Sequence, residues 1–188
     1  VSVAPDRWKK TFSEKKGAGR FKPFNKHSSA ITHFDFSSDE KYFQSNCQAY
    51  ELLFGVLENG KQQTKATELA VYNQDLNYDG DDDDIGGRSW STWTCTLGWP
   101  VQGIWQDGAD GSDINSVDRS NSQTLVATAD DFGLVKLFRY PCVDEASKYK
   151  AFTGHSSHVT NVRWTMDDGT LISGGGNDKC MFIWNVEK

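Results

Sequence analysis

Paired cysteines are missing from this chain. Its four, Cys47, Cys95, Cys142 and Cys180, are spread out with no C-x-x-C, which removes the spacing of a thiolate zinc site and leaves a disulfide framework without local support. Reduced thiols in a cytosolic protein are the expectation. No run approaches the roughly 20 apolar residues of a membrane-spanning helix. The opening "VSVAPDRWKK" has no apolar core behind a basic end, so it does not read as a signal peptide. It also lacks an initial Met, and an excerpt of a longer chain is expected. Basic charge is short too: 20 Lys and Arg face 26 Asp and Glu, a net charge of −6. A nucleic-acid binder usually displaces phosphate counterions with a basic surface. Neither nucleic acid nor membrane is therefore an expected partner.

What is present points to strands. The 188 residues are 37% hydrophobic and 13% aromatic, enough for a packed core. Seven Trp, eleven Phe and six Tyr, beside 17 Gly and only four Pro, favour many short strands joined by turns. Charge is unevenly placed. Residues 7 to 26 hold eight Lys or Arg against one Glu, whereas "DLNYDGDDDD", 75 to 84, holds six Asp and no base.

The chain also repeats itself. "HSSAITHFDFSSDEKYFQS", 27 to 45, aligns without a gap on "HSSHVTNVRWTMDDGTLIS", 155 to 173, sharing His, Ser, Ser, Thr, Asp and the final Ser. Ile31, Phe34, Phe36 and Phe43 meet Val159, Val162, Trp164 and Leu171. A weaker third copy, 114 to 128, aligns Val117 with Val162 and Thr128 with Ser173. Each copy reads as three strands and two turns. In the last, Val162 and Trp164 alternate with polar Asn161 and Arg163, the period of a strand. "CMFIWNV" reads as a strand buried on both faces.

Units of about 40–45 residues with G-H near the start and a Trp-Asp-like end resemble WD40 propeller blades. Gly154-His155 opens the last unit and Trp184-Asn185 closes it. The resemblance implies a structural hydrogen-bonded tetrad of His155, Ser173, Asp178 and Trp184 that ties three strands together. The rival reading makes His155 and Ser173 catalytic. A hydrolase serine of the G-x-S-x-G type would sit on a strained turn, and the sequence has no such motif. No enzyme, metal or cofactor is expected. The first copy keeps His27 and Ser45 but has Ala49 and Gly55 where the turn Asp and closing Trp belong. The second has Thr128, with Phe132 and Phe138 in those two places. Both are expected to rest mainly on apolar packing.

Three further stretches, "WSTWTCTLGWPVQGIWQDGADGSDIN" (90 to 115), "ADDFGLVKLFRYPC" (129 to 142) and "GHSSHVTNV" (154 to 162), closely resemble the carboxy-terminal part of the echinoderm microtubule-associated protein-like family. That resemblance implies an all-β chain supplying about three consecutive blades of an incomplete, carboxy-terminal WD40-type β-propeller. Residues 1–26 would end a preceding blade and carry a basic connector. Residues 27–98 would form a degenerate blade with an acidic insertion at 75–87, residues 99–150 a second degenerate blade, and residues 151–188 the final one. The implied function is a non-enzymatic, propeller-shaped platform for tubulin and microtubules, located in the cytoplasm on the cytoskeleton, including ciliary axonemes. The implied partners are tubulin and the upstream blades of the same parent chain. An adaptor of the same fold with another protein partner is the alternative. Departures from the family pattern are Lys26 before the first His, the altered first blade, and the length and acidity of 75–87.

Two segments remain as candidates for binding chemistry. The Asp run has no EF-hand spacing, since residues 79 to 90 contain no Glu, and reads as a solvated insertion. The basic segment suits an acidic partner such as tubulin, with Lys9, Lys10, Lys15, Lys16, Arg20 and Lys22 as the candidate contacts. Among the tryptophans, Trp93, Trp99, Trp164 and Trp184 are expected in the core, and Trp90 and Trp105 at the surface.

Overall fold

A computed structural model describes residues 23–65, 69, 89–111 and 113–187. The basic segment up to Lys22 and the acidic insertion 75–87 lie outside them.

Among the described residues, eleven strands form three antiparallel sheets, each joined in sequence order. The first holds β1 (Ile31–Phe36), β2 (Tyr42–Cys47), β3 (Leu52–Val56) and β4 (Gln62–Gln63). The second holds β5 (Ile114–Arg119), β6 (Leu125–Asp130), β7 (Leu134–Arg139) and β8 (Tyr149–Thr153). The third has β9 (Val159–Trp164), β10 (Thr170–Gly175) and β11 (Met181–Asn185). Three strands per copy were legible. The fourth, in the first two sheets, has no counterpart in the aligned repeat. Because β8 pairs with β7, residues 151–153 belong to the second sheet.

The repeat has a physical basis in its first turn. Ser37, Ser120 and Thr165 occupy equivalent positions after β1, β5 and β9. Each hydroxyl accepts the backbone N–H that opens the next strand, from Tyr42, Leu125 and Thr170. Three residues on, Glu40, Gln123 and Asp168 all adopt a left-handed backbone, with φ of 56°, 56° and 55°. The shared Asp is part of the same device: Ser37 donates to Asp39 at 2.8 Å and Thr165 to Asp167 at 2.7 Å. A short hydroxyl residue here gives the backbone a local partner that a longer side chain would not reach.

Two cores separate the sheets. One gathers Trp90, Trp93, Val101, Ile104, Val117, Val126, Phe138, Tyr140 and Cys142, and so lies between the segment 90–105 and the second sheet. The other joins Ala127, Ala129 and Val135 of the second sheet to Val159, Val162 and Leu171 of the third. The tryptophan expectations are partly reversed. Trp90 is buried, while Trp99, at the start of a 3₁₀ helix over Trp99–Ile104, is 46% exposed. Trp90 pairs with Ser37 in an isolated bridge and receives Arg119 on its carbonyl at 2.6 Å, which pins it inward. Burial on both faces of the last strand is also corrected: Phe182 and Trp184 are half-buried, but Met181 and Ile183 are 73% and 70% exposed. β11 is the edge strand of its sheet, and the alternation of its side chains puts Met181 and Ile183 on the exposed face.

Candidate functional site

The four residues picked out in the last copy meet in space. His155 Nδ1 lies 2.7 Å from Asp178, His155 Nε2 2.8 Å from Ser173 Oγ, and the Trp184 indole N–H donates to the same oxygen at 2.9 Å. Because Asp178 only accepts, the imidazole proton sits on Nδ1 and Ser173 donates to Nε2. Asp178 is held below the usual carboxylate range, first by the Cys180 backbone N–H and then by His155 and the Ser156 N–H. Ser173 is fully buried on β10. Its hydroxyl is enclosed by an imidazole and an indole, with no opening for a substrate.

The first copy solves the same problem with other residues. His27 Nε2 lies 2.7 Å from Ser45 Oγ, and His27 Nδ1 lies 3.2 Å from Glu51. Glu51, not Ala49, takes the role of the turn acid, two residues beyond the aligned position and one carbon longer. Its carboxyl is pulled down to about 2, chiefly by the Ser28 backbone N–H, with the Cys47 thiol and Ser28 hydroxyl adding to it. A cue existed in the sequence: Glu51 is the one acid between Ser45 and Leu57. The missing Trp is replaced by volume from the opposite strand. Phe43 pairs with Gly55 across β2 and β3, as Leu171 pairs with Trp184 across β10 and β11. A Cβ on Gly55 would collide with the Phe43 ring.

The second copy carries an ion pair. Lys136 Nζ lies 2.9 Å from buried Asp130 and 5.4 Å from the centre of the Tyr149 ring, beside Thr128 in the register. The first two copies are therefore not held by apolar packing alone.

Between the sheets, acids on the first strands bind the backbone of the next unit. Buried Asp35 on β1 accepts the Thr94 N–H at 2.9 Å, the Cys95 N–H at 3.1 Å and the Thr92 hydroxyl at 2.6 Å. The tryptophan-rich segment is thereby docked on the first sheet. Asp118 on β5 stands at the equivalent position and accepts the Trp164 N–H at 2.7 Å, while the Trp164 indole donates to the Asp118 carbonyl at 3.0 Å. At the outer turn Asp168 accepts the N–H groups of Asn121 and Ser122, each at 2.7 Å.

Burial raises the Asp118 carboxyl to about 6 despite the Trp164 N–H and Arg163, which favour its ionised form. The folded value therefore lies above the 3.8 of an unperturbed Asp. Between these values the folded chain binds more protons than the unfolded chain, so this group adds stability as pH falls from 7 towards 4. Asp118→Asn keeps an oxygen for the Trp164 N–H and removes the proton. Chemical denaturation at pH 7.5 and pH 5 is expected to show wild type gaining about 1.4 kcal/mol relative to the variant. An equal change in both proteins would disprove the linkage.

Consecutive antiparallel sheets, each entered by an inner strand bound to its neighbour, with a His–Ser–Asp–Trp set in the last, define WD40-type propeller blades. Among the described residues there are three, and they do not close a ring. The sequence profile described as "Echinoderm microtubule-associated protein second beta-propeller" matches residues 4–186. The chain belongs to that family. It is 44% identical over 160 residues to human "Echinoderm microtubule-associated protein-like 3", covering 85% of this chain and 16% of that protein. It is 43% identical over 163 residues to human "Echinoderm microtubule-associated protein-like 4" (86% and 15%). The human "Echinoderm microtubule-associated protein-like 2" is 42% identical over 160 residues (85% and 22%). The chain thus spans less than a quarter of the length of these relatives.

Proposed function

We propose that this chain is part of a non-enzymatic microtubule-associated protein, a propeller platform that binds tubulin on the cytoplasmic cytoskeleton. The observation that carries the reading is family membership over residues 4–186, together with relatives whose names state microtubule association. Ser173 supports the non-enzymatic half, since it is buried and hydrogen-bonded to both His155 and Trp184. Within this proposal Lys9, Lys10, Lys15, Lys16, Arg20 and Lys22 form the tubulin contact, because clustered cations steer towards an acidic surface. Upstream blades of the parent chain cover β1. Ile31, Phe34 and Phe36 are 52%, 58% and 44% exposed on that strand, whereas the equivalents of Phe34 on β5 and β9, Val117 and Val162, are fully buried between sheets.

The test is co-sedimentation of the intact parent protein with taxol-stabilised microtubules across a salt series, beside a K9E/K10E/K15E/K16E variant. Pelleting that weakens with salt and is lost in the variant is expected, because screening shortens the reach of exposed charge to about 8–10 Å at physiological salt. A folded parent that stays in the supernatant at low salt would overturn the microtubule reading in favour of an adaptor with another protein partner.

A further inference from the structure

The first sheet holds three metal-ligating side chains of different kinds in one place. A ring nitrogen of His27, Cys47 Sγ and a Glu51 carboxylate oxygen all lie within 4.8 Å of one another, the one such group among the described residues. Glu51 Oε2 is 3.2 Å from the imidazole nitrogen and 3.1 Å from the thiol. Zinc bonds of about 2.0–2.3 Å put neighbouring ligand atoms of a tetrahedral site roughly 3.3–3.6 Å apart, and both contacts of Glu51 lie within a few tenths of an ångström of that spacing. The imidazole and thiol are nearly enclosed, and the Glu51 side chain is 31% exposed. That carboxylate marks the route from solvent.

We propose that His27, Cys47 and Glu51 bind one Zn²⁺, with water in the fourth position. The ion replaces the thiol proton of Cys47, which leaves to solvent, and Glu51 binds through its carboxylate oxygen. His27 remains neutral and moves its ring proton to Nε2, which must then donate. Ser45 Oγ stands 2.7 Å away to accept it, the outer-sphere partner that orients a ligating imidazole.

The altered sequence of this blade makes that possible. In the last blade the equivalent oxygen, on Ser173, already takes the Trp184 indole N–H. Gly55 stands where that Trp would be, so no indole competes for Ser45 from that position. The last blade also has Gly175 where the aligned repeat has Cys47, so no thiol reaches its acid from that position. Cys47 and Glu51, both ligands, are among the positions where this blade departs from the last one.

The experiment is titration of the intact chain with Co²⁺ alone, read by thiolate-to-cobalt charge transfer in the near ultraviolet and by tetrahedral bands in the visible. One equivalent of Co²⁺, displaced by one equivalent of Zn²⁺, is expected. The Cys47→Ser variant should lose the charge-transfer band. Cys180→Ser, which removes the exposed thiol, should keep it. Glu51→Gln should bind at least tenfold more weakly. Circular dichroism establishes that each variant is folded, and if Cys47→Ser fails to fold, the wild-type and Glu51→Gln titrations decide. A folded wild type without the band, a band that survives Cys47→Ser, or unchanged affinity in Glu51→Gln would overturn the site.

Discussion

Replacing Ser173 by Ala lowers stability by about 3 kcal/mol, because one deletion leaves His155 Nε2 and the Trp184 indole N–H without partners, at about 1–3 kcal/mol for each buried polar group stranded. The thermal midpoint should fall by roughly 6–12 °C for a chain of this size. Loss of hydrogen-exchange protection should begin in β10 and β11, the strands joined through Ser173. Ser173→Thr retains the hydroxyl and should recover most of the loss, as the second blade carries Thr128 at the aligned position. A catalytic serine would behave otherwise: Ser173→Ala would abolish a turnover shown by wild type and leave the midpoint unchanged. That outcome would remove the structural reading of the set.

The last blade was legible because its chemistry follows the spacing. His155 and Ser173 recur in the first copy, Asp178 and Trp184 stand where the WD40 resemblance places them, and the strand Val159–Trp164 alternates apolar and polar residues. The middle and first blades hid their ties for two physical reasons. Glu51 is one carbon longer than Asp, so it reaches His27 from a position an ungapped comparison passes over. Lys136 and Asp130 form a pair of opposite chemistry to the family set, and no search for His, Ser or Asp at fixed offsets would find it. The tryptophan-rich stretch is a recognisable motif, but its burial does not follow from its sequence: Trp90 is buried and Trp99 exposed. Which Trp turns inward depends on where Asp35 and Arg119 hold the backbone, and those contacts cross 57 and 29 residues of sequence. The fourth strands were missed because pairing with a neighbour, and not any periodicity of their own, defines them. β4 is two residues long.

The exchange of Trp for Gly on β3 predicts the strongest coupling between two positions. Phe43→Ala alone should cost about 3–5 kcal/mol, since it empties the space over Gly55 and ends the edge-to-face contact with Phe24 at 4.9 Å. Gly55→Trp alone should also destabilise, because even a Cβ there meets the Phe43 ring. The pair Phe43→Leu with Gly55→Trp transplants the Leu171–Trp184 arrangement into the same register, with Ser45 placed to accept the indole N–H as Ser173 does. A double-mutant cycle of these two changes should return about 2–3 kcal/mol of favourable coupling, large for neighbours and absent for independent sites. Additive costs would mean that Phe43 does not stand in for the missing indole. The transplant also separates the two roles of this blade. An indole N–H on Ser45 occupies the oxygen that a zinc-bound His27 needs, so the double variant should be as stable as wild type or nearly so, yet bind Co²⁺ more weakly.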